Sequence, residues 1–145
     1  MPKETSIIWL ADTHRLSGRT AVLDDDGESC WLYLCADGGR SILKSVFVYS
    51  PVEPVDRATW KKKISAGEAP VLIADYASGA AVVAERYPDD FAFRWREDGD
   101  AVAVLFRDVA IAVVSVDEKH GSSKAIGRSG PFGDPLQIES YEWLR

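Results

Sequence analysis

Residues 91–106, FAFRWREDGDAVAVLF, decide the fold because two segments of alternating apolar residues flank the turn dipeptide Asp98-Gly99. Asp-Gly between such segments is typical of a tight β-hairpin. Closing the chain at this dipeptide sets the large apolar residues opposite one another: Trp95 with Val102, Phe93 with Val104 and Phe91 with Phe106. All six then lie on one face, a match that a slip of one residue would destroy. The other face is predicted to meet solvent and carries Arg94, Arg96, Ala101 and Ala103.

Two further Asp-Gly dipeptides, Asp26-Gly27 and Asp37-Gly38, separate three more apolar segments. These segments are RTAVLDD, ESCWLYLCA and SILKSVFVYS, and they predict an antiparallel meander. Both faces of the middle segment are apolar, which is typical of a central strand. At each Asp-Gly dipeptide we expect a type I′ turn, in which both central residues have a positive φ.

One helix is predicted after Asp56, a suitable N-cap, with Val55 and Trp60 at the positions of a hydrophobic staple and Gly67 as the stop. A second helix is predicted over GAAVVAERY, residues 79–87, between Ser78 as its cap and Pro88. The short β-branched segments VLIADY and VAIAVVSV are predicted strands.

These elements predict an α+β fold: a mainly antiparallel sheet built from hairpins, with about seven strands and one to three short helices. The length of 145 residues predicts a single globular domain over residues 1–145. Strands and helices do not alternate strictly, so a doubly wound nucleotide-binding fold is disfavoured.

The net charge of −6 and the pI of about 4.9 argue against a nucleic-acid partner, which needs a basic face. No apolar run is long enough to cross a membrane, and the first 15 residues lack the apolar core of a secretory signal. Cys30 and Cys35 fit no zinc pattern and are predicted to be free, buried thiols. We therefore expect a cytoplasmic protein with no membrane partner.

The stretch KHGSSKAIGRSGPFGDP, residues 119–135, is the closest approach to a phosphate-binding loop. The spacing from Gly121 to Gly127 is one residue too long for a Walker A loop, and an arginine stands in place of the lysine. Two glycines and two prolines then follow within seven residues, where a phosphate loop must open a helix. The stretch is therefore predicted to be a surface crossover and not a site for ATP or GTP.

No metal-ligand motif, cofactor motif or nucleophile elbow occurs, so neither a metal nor a cofactor is predicted and a binding role is favoured over catalysis. Two alternatives use the cationic loop. In one, His120, Lys124 and Arg128 bind an anion or a small molecule. In the other, His14 and His120 form an acid–base pair beside Lys124, as in a metal-independent phosphodiesterase.

Acidic residues recur at the turns and form the predicted partner-binding surface: Asp24, Asp25, Asp26, Glu28, Glu97, Asp98 and Asp100. Exposed carboxylates there would steer a basic protein partner. In composition, a small, acidic, tryptophan-bearing α+β domain resembles bacterial immunity or antitoxin proteins. That resemblance implies an inhibitor that blocks the basic active surface of a toxin; it covers no motif and assigns no residue. A homodimer paired through an edge strand is the third alternative.

Overall fold

A computed structural model describes residues 6–68 and 71–145, without the side chain of Asp37. The protein has the predicted α+β fold, with two largely antiparallel sheets and one α-helix. The strands are β1 Ile8–Thr13, β2 Thr20–Asp25, β3 Cys30–Ala36, β4 Ser41–Tyr49, β5 Phe91–Trp95, β6 Ala101–Phe106, β7 Val109–Ser115, β8 Ser122–Ser123 and β9 Asp134–Pro135. The helix α1 covers Arg57–Ser65, and the remaining helical segments are single turns of 3-10 helix.

The first sheet is a four-stranded meander in the order β1-β2-β3-β4. Its last three strands are the predicted meander, and β1 adds an edge strand that the sequence did not predict. The register of β1 on β2 is unbroken from the Ile8–Asp25 pair to the Thr13–Thr20 pair. The pairing of β3 with β4 shifts twice, so β4 is bulged while β1 is regular.

The second sheet has five strands in the order β5-β6-β7-β8-β9, and only its last pair is parallel. The predicted hairpin register is confirmed, because Phe91, Phe93 and Trp95 lie opposite Phe106, Val104 and Val102. The prediction for the other face is wrong in part. Arg94 is exposed, but Ala101 and Ala103 are buried. β6 has a neighbouring strand on each side, and Ala103 lies opposite Arg94 on one of them and Val113, which is also buried, on the other.

The main core lies between the inner faces of the two sheets. Its fully buried members come from β2, β3 and β4 of the first sheet and from β6 and β7 of the second: Leu23, Leu32, Leu34, Val46, Val102, Val104 and Val114. Phe91, Phe93 and Trp95 close the core from the edge strand β5. Period-two alternation on each strand therefore produces one continuous apolar layer.

A second, smaller core covers one end of the outer face of the first sheet. Phe47 is fully buried there and meets the rings of Trp31 and Phe132 edge-on, with centroids 5.5 and 5.7 Å away. The helix α1 contributes Trp60. As predicted, Asp56 caps this helix by accepting a hydrogen bond from the Thr59 amide at 2.7 Å, and the chain turns away at Gly67 with a φ of 80°.

The second predicted helix, over residues 79–87, is absent. The β-branched Val82 instead forms a parallel bridge with Ser50: the Ser50 amide donates to Ala81 and the Val83 amide donates back to Ser50. Pairing along the edge of β4 outweighs the helical preference of the alanines. The predicted strand VLIADY is also wrong, since only Ile73 forms a bridge and residues 74–76 form a 3-10 turn.

The predicted turn types differ from the observed ones. At Asp26-Gly27 and Asp98-Gly99 only the glycine has a positive φ, of 91° and 77°, so neither is a type I′ turn. At the third predicted turn, Asp37-Gly38, the two positive φ values fall one residue later, on Gly38 and Gly39 at 69° and 93°. Arg107-Asp108 also has two positive φ values, 50° and 70°, and joins β6 to β7 in two residues. Aspartate tolerates this region better than most residues, and the neighbouring strands impose it on Arg107.

In the described ranges 6–68 and 71–145, no helix has both the length and the apolar character needed to cross a bilayer.

Candidate functional site

The first acidic turn is largely built into the protein. Asp24 is 4% exposed and Asp25 is 0% exposed, so the expectation that both project as surface charges is wrong. Asp26 is half-buried, and its carboxylate accepts hydrogen bonds from the amides of Glu28 and Ser29. These carboxylates are used within the fold, because each accepts hydrogen bonds from main-chain or side-chain donors.

Asp25 is the centre of a buried polar network. Its carboxylate accepts two hydrogen bonds from the Arg86 guanidinium, at 2.7 and 3.1 Å, one from the Tyr49 hydroxyl at 2.6 Å and one from the Gly27 amide at 2.8 Å. The hydrogen bond to Asp25 raises the pKa of Arg86. With four donors the carboxylate is satisfied and faces no open cavity, so the network stabilises the fold.

The second acidic turn, residues 97–100, lies at the opposite end of the first sheet. Asp100 pairs with Arg19, immediately before β2, whereas Asp26 follows β2 directly. A strand of six residues separates the two turns by about 17 Å. Glu97 and Asp98 are exposed, although Asp98 also pairs with Arg96 at 2.9 Å. The two acidic turns do not form one patch.

The two histidines lie at opposite edges of the first sheet. His14 follows the edge strand β1, accepts a hydrogen bond from the Ser17 amide and packs on Trp95 with ring centroids 5.3 Å apart. His120 lies beside the other edge strand, β4, in a groove lined by residues 42–45. Three strand spacings, about 14 Å, separate β1 from β4. The structure therefore does not bring His14 and His120 together as an acid–base pair.

The cationic residues of the 119–128 loop point to three different places. His120 lines the groove beside β4, with its Nδ1 3.4 Å from an Asp134 oxygen. Lys124 borders a separate hollow with Asp108 and Glu139. The Arg128 guanidinium lies over the Tyr76 ring, 5.1 Å from its centroid. These three residues do not form the single anion site considered from the sequence.

The outer face of the first sheet has an uncovered end with a hollow of about 320 Å³ that is lined by uncharged residues, both polar and apolar. Its lining comes from all four strands and the β3–β4 turn: Trp9, Ala11, Thr20, Val22, Tyr33, Cys35, Gly38, Gly39 and Ile42. Ile42 is 62% exposed and Trp9 is half-buried. Burial, with the Asp24 carboxylate nearby, raises the pKa of Tyr33 to about 12. The hollow is a neutral surface suited to apolar side chains.

The strand β1 borders this hollow and has a free edge. The His14 amide donates to the Arg19 carbonyl, which continues the register of β1 on β2. In an antiparallel pair, alternate residues exchange hydrogen bonds with the partner strand. Ile8, Leu10 and Asp12 therefore bond to β2, and the main-chain groups of Trp9, Ala11 and Thr13 point away from the sheet. No described residue supplies a hydrogen-bond partner for these groups.

Sequence reasoning missed this edge because it treated residues 7–10 only as a short apolar patch. The usable signal was the alternation of the apolar Ile8 and Leu10, followed by a turn with Gly18 and the next strand. Both cysteines are free and buried, as predicted. Burial raises the pKa of Cys30 and of Cys35, so neither thiol is suited to act as a nucleophile.

Within the part of the chain that the structure describes, no three histidine, cysteine, aspartate or glutamate side chains are grouped to hold a metal ion. No family model matches the chain, and no curated protein or solved structure is found to be similar to it.

Proposed function

We propose that this protein is a non-catalytic binding domain that holds an extended segment of another protein against β1. The observation that carries the proposal is the free edge of β1 next to the uncharged hollow around Trp9. An edge strand presents a row of unpaired donors and acceptors that another strand can complete. Alternate side chains of the added strand would then rest on the outer face, where the hollow accepts them.

β1 is better suited to strand addition than the other edges. It carries no proline, lysine or bulge between Ile8 and Thr13, and these are the features that commonly protect an edge. β4 is partly covered, because its Phe47 amide donates to Phe132. β9 contains Pro135. β5 is an edge too, but its outer face carries the exposed charge of Arg94.

A basic partner segment suits the charge of the protein. The net charge is −6, and Glu97 and Asp98 are exposed carboxylates at the end of the molecule where β1 ends. Such charges raise the rate of association more than the final affinity, and salt weakens them. In this proposal β1, and not the acidic turns, forms the surface that binds the partner. The exposed carboxylates of the 97–100 turn attract the basic segment toward it.

The proposal is tested with two variants of β1 and a matched control on the other sheet. Ala11→Pro removes an amide that points away from β2, and Ala11→Lys places a charge beside the hollow. Ala92→Lys makes the same change at an exposed alanine of the edge strand β5. Proteins captured from a host lysate by the wild type are identified by mass spectrometry, and the captured set is compared across the variants.

We expect both Ala11 variants to lose a partner that wild type and Ala92→Lys retain. We also expect amide hydrogen exchange at Trp9, Ala11 and Thr13 to slow when that partner is added. Sedimentation velocity of the protein alone tests whether the partner is a second copy. A captured set that is unchanged by both Ala11 variants, together with a monomer in sedimentation, would contradict the proposal.

A further inference from the structure

A groove of about 320 Å³ runs beside the start of β4, on the side away from β1. One wall is residues 42–45, and the other comes from the two glycine-rich segments that flank β8. The residues contributed by those segments are Lys119, His120, Gly121, Gly130, Pro131 and Gly133. The volume lies at the lower end of the range of small-molecule sites.

Positive charge converges on this groove from separate parts of the chain. Lys44 comes from β4, and Lys119 and His120 come from the β7–β8 connection. In the described ranges, neither Lys44 nor Lys119 has a carboxylate within 4.0 Å. Asp134, which lies near His120, does not line the groove. On a protein of net charge −6, the two lysines are a local concentration of positive charge, and of the three side chains His120 is the one that faces a carboxylate, that of Asp134 at 3.4 Å.

The floor of the groove is main chain that cannot carry larger residues. A Cβ atom on Gly121 would lie 2.6 Å from the Val46 Cβ, and one on Gly133 would lie 2.7 Å from the Val46 Cγ2. The two segments are tied to each other, since the Asp134 amide donates to the Gly121 carbonyl at 2.9 Å. The glycines thus hold both segments tightly against β4, which fixes Lys119 and His120 relative to Lys44.

The groove also has an apolar wall. Ile42 is 62% exposed and Leu43 is 40% exposed, and Pro131 lies across from them. A ligand that carries only charge would leave this apolar wall exposed to water. A purely apolar ligand would make no contact with the charges of Lys44 and Lys119. The lining fits a molecule with an anionic group at one end and an apolar or aromatic group at the other.

We infer that this groove binds a small phosphate monoester that carries an apolar or aromatic group. Lys44 and Lys119 act as point charges on the dianionic phosphate, a role typical of lysine at phosphate sites. His120 donates a hydrogen bond to a phosphate oxygen, and the organic group packs on Ile42 and Leu43. The inference does not depend on the proposed strand-binding role, because the lysines and His120 lie at the opposite edge of the first sheet, although Ile42 lines both the groove and the hollow beside β1.

The first experiment is a titration followed by amide chemical shifts in two-dimensional NMR. The probes are phenyl phosphate, inorganic phosphate and phenol. We expect shifts at residues 42–45 and 119–121 with phenyl phosphate, at least several-fold tighter than with inorganic phosphate, and no saturable shift with phenol. Equal binding of phenol and phenyl phosphate, or shifts spread over unrelated surfaces, would overturn the inference.

Matched lysine variants separate the groove from the general charge of the protein. We expect Lys44→Ala and Lys119→Ala each to weaken phenyl phosphate binding about tenfold or more, because each removes a charge-assisted contact. Lys124→Ala removes the same charge from a different hollow and is expected to leave binding within about twofold. An equal loss of phenyl phosphate affinity in all three variants would show that binding depends only on the overall charge of the protein. That result would contradict the site. Ala11→Pro, which tests the strand-binding proposal, is expected to leave phenyl phosphate binding unchanged.

Discussion

Arg86 and Asp25 are 61 residues apart in the chain and meet as a two-point ion pair in the interior. The Arg86 side chain is 13% exposed and the Asp25 side chain is 0% exposed. The pair holds the long connection between the two sheets, which contains Arg86, against the end of β2, where Asp25 lies. Asp25 belongs to an acidic run that the sequence presented as a projecting charged turn, and the pair explains why it is internal.

We predict that Arg86→Ala lowers the free energy of unfolding by about 3–5 kcal/mol, because it leaves the buried Asp25 carboxylate without a counter-charge. Arg57→Ala is the control: its pair with Asp75 is exposed and screened by water, so its loss should change the free energy of unfolding far less. Urea denaturation measures both. Equal and small losses in the two variants would show that the Asp25 network contributes little to stability.

Stability is expected to fall in alkali between about pH 10 and pH 12. Burial, with the Asp24 carboxylate nearby, raises the pKa of Tyr33 from 10.0 to about 12, so the folded state keeps this phenol neutral after the unfolded chain has begun to ionise. The contribution is complete below pH 10 and is lost as the pH passes 12. The pKa of Tyr49 is also raised, mainly by burial, and acts in the same direction.

The alkaline effect is checked by denaturation midpoints measured from pH 8 to pH 12. Tyr33→Phe should make the fall in stability shallower, while Tyr87→Phe, at a tyrosine that is 60% exposed, should leave it unchanged. Indistinguishable pH profiles for wild type and Tyr33→Phe would contradict the assignment.

Both thiols are expected to resist alkylation in the native protein at pH 8 and to react fully after unfolding. Burial raises the pKa of each thiol, which suppresses the reactive thiolate, and both side chains are shielded from reagent. Iodoacetamide labelling followed by mass spectrometry should find two modified cysteines only in denaturant. Rapid native labelling of Cys35 would show that reagent reaches its thiol from the hollow that it borders, and would contradict the burial of this side chain.

The turn between β6 and β7 should tolerate glycine better than its natural residue. Asp108→Gly is expected to stabilise the protein by about 0.5–1 kcal/mol, because the φ of 70° is strained for a residue with a Cβ. Gly99→Ala is the opposite case: its φ is 77°, and the added methyl would meet Ser17 and His14. We expect that variant to lose about 1–3 kcal/mol. Thermal denaturation of both variants tests the turn geometry, and a destabilised Asp108→Gly would contradict it.

The elements that the sequence predicted well are those whose contacts are local or periodic. The register of β5 on β6 follows from alternation around a short turn, and the start of α1 follows from Asp56 and the amide three residues later. The helix predicted over residues 79–87 failed because its fate depends on Ser50, about 30 residues away, which offers a strand edge.

In the candidate sites, too, some features follow from local sequence and others depend on residues far away in the chain. Charge, composition and the missing catalytic motifs can be read from residue types, and they already favoured binding over catalysis. Residue types do not show which charges are exposed. Asp25 and Asp98 each have a charged neighbour and lie just before the glycine of a turn, yet Asp98 is exposed and Asp25 is buried. Burial depends on whether a distant donor such as Arg86 reaches the carboxylate.

The sequence by itself determined the strand periodicity, most of the hairpins, the helix cap and the acidic balance, because these depend on neighbours within a few residues. Only the tertiary structure decided that β1 is a free edge beside an uncharged hollow, that His14 and His120 lie at opposite edges, and that Lys44 joins Lys119 in one groove. Those relationships arise from the order of strands in two sheets and from their stacking. Both are set by the burial of apolar faces against each other, which no local pattern specifies.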